Sequence, residues 1–286
     1  MAATEKFKDW QFRYQYMYAT RRSEKSKKRF IGALVTDLSE LGVEPKVIEF
    51  DQQKKGASRN IYVGDLKRAK KIICTYYDTP PNFFGDYVLF DRQAQSRKTI
   101  FFIVLTTIIS IVIGLAGLSL FMQNNLFAFD FSQLKTYVGI AAILLFFLIF
   151  GKVTKGLSNR KNLVRNTSTI LMMLAMIEEN KNADIAYAFI DEGSYGERGL
   201  EVLKESTKKT TPIYFMDSVG AETPLYFKGD KTESFSKTAV DTKTKRQMNY
   251  IFCGESKDTT FYLSKDILKR KEINMANINQ LIEAFS

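Results

Sequence analysis

The sequence contains no histidine and only two cysteines among its 286 residues. Histidine is the commonest protein ligand for transition metals and the commonest general base near neutral pH, so its absence excludes the usual forms of both chemistries. Cys74 and Cys253 lie far apart and form no CxxC pair, which argues against a disulfide framework and against a thiolate zinc site. These absences limit the possible chemistry more than any motif in the sequence extends it.

The chain carries a formal net charge of +11, which favours an anionic partner such as phospholipid headgroups, nucleic acid or an acidic protein. Six basic residues cluster near the N-terminus: Arg21, Arg22, Lys25, Lys27, Lys28 and Arg29. This cluster either rests on anionic membrane lipid or forms a solvated helix face. We expect no nucleic-acid partner, because the basic residues are not combined with aromatic residues in a recognisable nucleic-acid-binding module.

Two long apolar runs dominate the middle of the sequence. Residues 99–121 carry no charge, and about 20 such residues cross the apolar core of a bilayer as a helix. Residues 136–151 form a shorter run between Lys135 and Lys152, whose side chains can reach the two interfaces. A pair of buried core helices is the alternative, but core helices of this length rarely lack a polar face. The runs therefore predict a transmembrane hairpin over residues 98–153.

Charged residues around the hairpin predict its orientation. Basic residues flank it on both outer sides: Arg92, Arg97 and Lys98 before the first run, and Lys152, Lys155, Arg160, Lys161 and Arg165 after the second. The connecting loop carries only Asp130 and the border residue Lys135. Because basic residues favour the cytoplasmic side, we predict a multi-pass protein of the plasma membrane. Both termini and one discontinuous domain, residues 1–90 plus 160–286, are then cytoplasmic.

Helical and strand-like runs alternate outside the hairpin. Predicted helices cover residues 5–20, a segment from an N-cap at Ser23 to Leu41, a buried run after an N-cap at 166–168, and residues 200–205 and 273–285. Predicted strands cover residues 46–50, 60–63, 71–76, 183–190, 211–217 and 247–253, with a turn at 56–60. This alternation predicts an α/β fold whose mainly parallel, mixed sheet is flanked by helices.

Three of the predicted strands end in acidic residues. Asp78 follows the run KIICTY, the pair Asp191 and Glu192 follows ADIAYAFI, and Asp217 ends TPIYFMD. Open α/β sheets place ligands and chemistry at the carboxyl ends of their strands. The three strand ends therefore form the candidate functional site.

The order and spacing of these acidic strand ends resemble the zinc-dependent aminopeptidase family. That family includes bacterial leucyl aminopeptidases, glutamate carboxypeptidases and the protease-like domain of the transferrin receptor. The resemblance covers nearly all of the chain outside the hairpin, and it rests on the succession of motifs because no single motif is specific. It implies a zinc-aminopeptidase-like sheet.

Carried over by position, the resemblance implies a damaged metal site. Tyr76 stands where the first ligand histidine belongs, and Asp78 keeps the place of the supporting carboxylate. Arg165, followed by Asn166, stands at the metal-bridging aspartate. Asp191 occupies the place of the general base and Glu192 that of the adjacent ligand, while Asp217 keeps its ligand place. The late histidine corresponds to a position near Leu263.

A fixed cation at the bridging position would repel divalent ions, so we expect no metal and no cofactor. We expect Arg165 to pair instead with Asp191, Glu192 or Asp217. This predicts a protein that is not an enzyme, acting as an adaptor or accessory subunit of a membrane complex, possibly of a transporter. Two alternatives stay open: a hydrolase with a remodelled, carboxylate-only metal site, and a receptor in which Arg165 holds the carboxylate of a peptide without cleaving it.

Overall fold

The computed structural model describes residues 4–53, 56–123, 131–180, 183–194, 196–229, 247–257 and 260–286. The chain divides into two compact units. The first comprises residues 1–80, 86–92 and 159–286, and the second comprises residues 81–85 and 93–158. The acidic strand ends all belong to the first unit.

The predicted helices and strands are present in the predicted order, together with four short strands and one short helix that were not predicted. The helices are α1 (Glu5–Phe12), α2 (Glu24–Glu40), α3 (Arg92–Gln123), α4 (Leu134–Thr154), α5 (Ser168–Glu179), α6 (Arg198–Glu205), α7 (Lys265–Leu268) and α8 (Met275–Phe285). Two π-helical turns, Arg13–Met17 and Leu163–Thr167, adjoin α1 and α5. The strands are β1 (Pro45–Gln53), β2 (Gly56–Val63), β3 (Lys71–Tyr76), β4 (Tyr87–Leu89), β5 (Ile185–Ile190), β6 (Ile213–Asp217), β7 (Leu225–Lys228), β8 (Met248–Cys253), β9 (Glu255–Lys257) and β10 (Thr260–Leu263).

The main sheet has the strand order β1-β2-β5-β3-β6-β8-β7, and β4-β10-β9 form a small second sheet. In the main sheet, the central strands β5, β3, β6 and β8 are parallel to one another. The pairs β1–β2, β2–β5 and β7–β8 are antiparallel. The predicted mixed α/β sheet flanked by helices is therefore confirmed. Because β5, β3 and β6 are adjacent and parallel, their carboxyl ends meet at one edge of the sheet.

Apolar clusters cover both faces of this sheet. On one face, Trp10, Phe30, Leu34 and Phe285 pack with the buried side chains of α5. On the other face, Leu200 of α6 packs with Ala188, Cys74 and other residues of the central strands. The prediction that α5 is apolar all round and buried is confirmed, since residues 168–177 are all buried. Removal of this apolar surface from water is the main stabilising contribution to such a sheet.

Two local predictions are wrong. In both cases, polar residues form hydrogen bonds with residues that are far away in the sequence. Residues 56–60 are not a turn but the first half of β2, paired with β1. Asn60 is fully buried there and donates to the backbone carbonyl of Gly199. Asn166 and its neighbours do not cap α5, because they lie inside the π-helical turn that precedes it. The predicted N-cap at Ser23 is confirmed, with a reciprocal hydrogen bond to Ser26.

The second unit consists mainly of α3 and α4. Both helices are long and apolar enough to cross a membrane, with mean hydropathy of 2.6 and 2.1 in their most apolar windows. In those windows, 0% of the α3 window and 17% of the α4 window is buried. A core helix of a soluble protein is mostly buried. A methyl group on Gly114 would meet the Phe146 ring at 2.6 Å, and one on Gly139 would meet the Phe121 ring at 2.9 Å. These glycines therefore let each helix receive an aromatic ring of the other.

Candidate functional site

The site lies where β3, β5 and β6 end. Seven residues were predicted for it: Tyr76, Asp78, Arg165, Asn166, Asp191, Glu192 and Asp217. The structure brings them to this edge of the sheet, and all except the partly exposed Glu192 are buried. The residues that follow two of the strands, Glu192 and Ser218, have φ angles of 58° and 59°. Such left-handed backbone is uncommon for these residue types and is found preferentially at functional sites.

Arg165 is fully buried and lies between two tyrosine rings. Its guanidinium carbon is 5.2 Å from the ring centre of Tyr76 and 4.2 Å from that of Tyr87. Its Nη2 donates to the hydroxyl of Tyr87 at 3.0 Å and to that of Ser194 at 3.4 Å. The predicted ion pair with Asp191, Glu192 or Asp217 is wrong: within the described residues, Arg165 forms no salt bridge. The electron-rich faces of the two tyrosine rings attract the guanidinium, where the sequence predicted a carboxylate.

Asp217 is the acid most closely linked to Arg165. The hydroxyl of Tyr76 donates to both carboxylate oxygens of Asp217 at 3.1 Å, and the Ser218 hydroxyl donates to one of them at 3.0 Å. Burial raises the pKa of Asp217 to about 6, although the charge of Arg165 and these hydrogen bonds act in the opposite direction. Asp217 can therefore gain and lose a proton near neutral pH.

Asp78 holds the turn that follows β5. Both of its carboxylate oxygens accept the backbone N–H of Ser194 at 3.1 Å, and the Ser194 hydroxyl donates to the Asp78 carbonyl at 2.9 Å. Burial raises the pKa of the Asp78 carboxyl, and the nearby charge of Asp191 raises it further. Asp78 thus fixes Ser194, which in turn contacts Arg165.

Asp191 and Glu192 have their own partners. The Nζ of Lys27 lies 2.5 Å from Asp191, and the hydroxyl of Ser58 donates to Glu192. The Lys27 side chain is only 15% exposed. Lys27 is therefore part of the site. The sequence interpretation placed all six basic residues on a lipid-facing or solvated surface, and for Lys27 that interpretation is wrong.

Arg21, from the same basic cluster, is also fully buried. Its Nε donates to the Tyr77 carbonyl at 2.6 Å, and its Nη2 donates to the side chains of Asn166 at 2.8 Å and Thr167 at 2.9 Å. Burial lowers the pKa of Arg21 to about 10 against the opposing charge of Asp78. Through these hydrogen bonds, Arg21 joins the end of β3 to the π-helical turn that contains Arg165.

Sequence reasoning did not assign several residues that contact the predicted site, among them Arg21, Lys27, Ser58, Tyr87 and Ser194. The closest signal was the resemblance near Leu263, because Leu263 is buried in β10 directly opposite Tyr87. The resemblance therefore places β10 near the site, but it does not identify Tyr87.

The residues present do not fit a zinc pair or a carboxylate-only metal site. In the described part of the chain, no group of three acids or thiols converges on a point that could hold a metal ion. The four acids point instead to separate partners: Asp78 to Ser194, Asp191 to Lys27, Glu192 to Ser58 and Asp217 to Tyr76. The buried cation of Arg165 beside Asp217 would also oppose a divalent ion.

No family model matches the sequence, and no curated protein matches it significantly. The solved glutaminyl cyclase of Tannerella forsythia matches with a TM-score of 0.53 at 11% identity, over 97% of this chain and 96% of that chain. A Zn-dependent exopeptidase from Parabacteroides distasonis matches with a TM-score of 0.51 at 12% identity, over 96% of each chain. The glutaminyl cyclase of Porphyromonas gingivalis gives 0.50 at 12% identity, over 97% and 95%.

The chain has the zinc-aminopeptidase-like fold. The predicted resemblance is thereby confirmed at the level of the fold. The prediction that the chain is not an enzyme is contradicted, because the solved structures that share this fold are enzymes. A peptidase-like fold in a chain without histidine requires a different set of chemical groups from a histidine-ligated zinc pair.

Proposed function

We propose that this protein is a membrane-anchored enzyme that acts on an amide group of a peptide or amino-acid derivative without a zinc pair. The fold supports this proposal, because its solved neighbours are glutaminyl cyclases and an exopeptidase. The single observation that carries it is the buried Asp217 carboxylate at the end of β6, which accepts hydrogen bonds from the Tyr76 and Ser218 hydroxyls. Burial also raises its pKa to about 6. General acid–base catalysis works best with a pKa near the working pH.

In this proposal, Asp217 is the proton-transfer group. Its carboxylate takes a proton from the attacking water or amine and returns it to the departing nitrogen. Tyr76 orients the carboxylate by donating to both oxygens. Arg165 supplies a fixed positive charge in the buried site, where water screens charges poorly. Attack by water gives hydrolysis, whereas attack by the substrate's own amine gives cyclisation.

Replacing Asp217 with asparagine is expected to lower turnover by about 10²- to 10⁴-fold, the contribution typical of a general base. In the unmodified protein, activity should rise as the pH increases through about 6, because Asp217 must lose its proton to act. The variant should lack this rise. The measurement is a pH profile of the hydrolysis of dipeptides and of the cyclisation of N-terminal glutaminyl peptides, both of which carry a free carboxylate.

Asp65→Asn is the matched control, because Asp65 is an exposed aspartate outside the site. It should leave the rate and the pH profile unchanged. Equal activity of Asp217→Asn and the unmodified protein, with the same pH profile, would refute the proposed role of Asp217.

We also propose that α3 and α4 cross the plasma membrane as a hairpin, with both termini and the first unit in the cytoplasm. Flanking basic residues and the exposure of both helices support this arrangement. Membrane lipid is then one partner. A second membrane protein is a further partner, and it could pack against Gly117 and Gly151, where an added methyl group would meet nothing within 4 Å among the described residues.

Cysteine labelling tests this orientation. Ser132→Cys, just before α4, should react with a membrane-impermeant maleimide in intact cells. Ser158→Cys, after α4, should react only after permeabilisation. Both positions are exposed, and burial raises the pKa of the native Cys74 and Cys253 thiols, so their background reaction should be slow. The reverse labelling pattern would contradict the cytoplasmic placement.

A further inference from the structure

Arg165 has more hydrogen-bonding capacity than its surroundings use. Its Nη2 is engaged by Tyr87 and Ser194, whereas Nε and Nη1 are buried without a hydrogen-bond partner among the residues described. An arginine side chain carries one N–H on Nε and two on Nη1. A buried charged donor without a partner is costly. The Arg165 side chain is fully buried, so the site contains a cationic group with unused hydrogen-bond donors.

The other cations of the site do not share this property. Lys27 is paired with Asp191 at 2.5 Å. Arg21 donates from Nε, Nη1 and Nη2 to backbone and side-chain oxygens. Of these three cations, Arg165 is therefore the one whose buried donors lack a hydrogen-bond partner among the described residues. The partly exposed Glu192, two residues after the neighbouring strand β5 ends, shows that this edge of the sheet reaches the surface.

We propose that Arg165, held between the rings of Tyr76 and Tyr87, is the receptor for a carboxylate group of the substrate. This inference rests on the proposed function and names its substrate class: peptides or N-acyl amino acids with a free carboxylate. The donors favour an anion because charge-assisted hydrogen bonds are the strongest that a guanidinium makes.

The surroundings favour a carboxylate over a phosphate. The two aromatic rings flank the guanidinium at 5.2 Å and 4.2 Å, so the site favours a flat group, as a carboxylate is. Asp217 carries a negative charge when it is deprotonated, and Asp78 and Asp191 are further buried acids in the site. These acids repel a doubly charged phosphate more strongly than a singly charged carboxylate.

Calorimetric titration of the full chain in detergent tests this inference with a readout that does not require turnover. N-acetylglycine should bind, whereas its uncharged counterpart N-acetylglycinamide and inorganic phosphate should bind at least about tenfold more weakly. Arg165→Gln should weaken binding of N-acetylglycine by about 10- to 100-fold, the range expected for lost charge-assisted hydrogen bonds. Arg165→Lys, which keeps the charge, should lose less. Thermal unfolding of each variant shows whether it is folded.

Comparison of the three ligands on the unmodified protein keeps the test valid if the arginine variants fail to fold. Equal binding of the acid and its amide, preferential binding of phosphate, or no binding of N-acetylglycine would overturn the inference. So would unchanged binding in Arg165→Gln. If N-acetylglycine binds as expected but no amide substrate is turned over, the proposed function fails while the carboxylate receptor stands.

Discussion

Replacing Gly193 with alanine is expected to destabilise the protein by about 3 kcal/mol, at the upper end of what overpacking a dense interior costs. A methyl group at this position would lie 2.0 Å from the Cβ of Tyr76, and no side-chain rotation of Tyr76 moves that atom. The backbone at the end of β3 or after β5 must therefore shift. Because Tyr76 orients Asp217, activity and stability should fall together. Thermal and urea unfolding measure the loss.

Gly196→Ala is the matched control, three residues further along the same turn. An added methyl group there meets the Glu192 carbonyl oxygen at 3.4 Å, an ordinary contact. We expect a change of less than about 0.5 kcal/mol, as for most substitutions away from tightly packed contacts. Equal effects of the two substitutions would mean that the close approach to Tyr76 does not constrain the fold.

Replacing Asp37 with alanine is the second change with a large expected effect. Asp37 is buried on α2, and its carboxylate accepts two hydrogen bonds from Arg13, at 2.8 Å and 3.2 Å, and one from the Tyr14 hydroxyl. Burial raises the pKa of Tyr14, and the charge of Asp37 raises it further, so the phenol stays protonated and needs an acceptor. We expect a loss of about 3 kcal/mol, because removal of the carboxylate leaves the buried Tyr14 hydroxyl without this acceptor and removes two hydrogen bonds from Arg13.

Asp9→Ala provides the control on the same arginine. Asp9 contacts the Nε of Arg13 at 2.8 Å, but its side chain is 60% exposed. Exposed ion pairs contribute about 1 kcal/mol or less, so this variant should be nearly as stable as the unmodified protein. Urea unfolding of the two variants measures the difference. Similar losses for Asp9→Ala and Asp37→Ala would show that burial does not determine the strength of this contact.

The comparison between Asp37 and Asp9 also shows where sequence reasoning stops. Both acids lie on helices whose apolar periodicity or N-cap is visible in the sequence. The sequence does not show that the π-helical turn Arg13–Met17 turns Arg13 and Tyr14 toward the same carboxylate. That contact joins residues 23 or 24 positions apart, and it depends on how α1 and α2 pack.

The same limit explains the errors at the site. The sequence placed Asp78, Asp191, Glu192 and Asp217 correctly at strand ends, because apolar runs of six or so residues mark buried strands. It assigned Arg165 to an acidic partner by charge alone. In the structure, its guanidinium contacts two tyrosine rings and the Ser194 hydroxyl. One of these tyrosines, Tyr87, comes from a three-residue strand that the sequence pattern did not mark.

The sequence by itself determined most of the helices and strands, the two long apolar helices and the acidic residues at three strand ends. Hydrophobic periodicity and length are local properties, so they can be read without knowing what lies nearby in space. Only the tertiary structure decided that Arg21 and Lys27 enter the site and that Arg165 keeps free donors. Which charges form pairs depends on the distance between them and on their burial, because both determine the strength of an electrostatic interaction. Neither can be read from the local sequence.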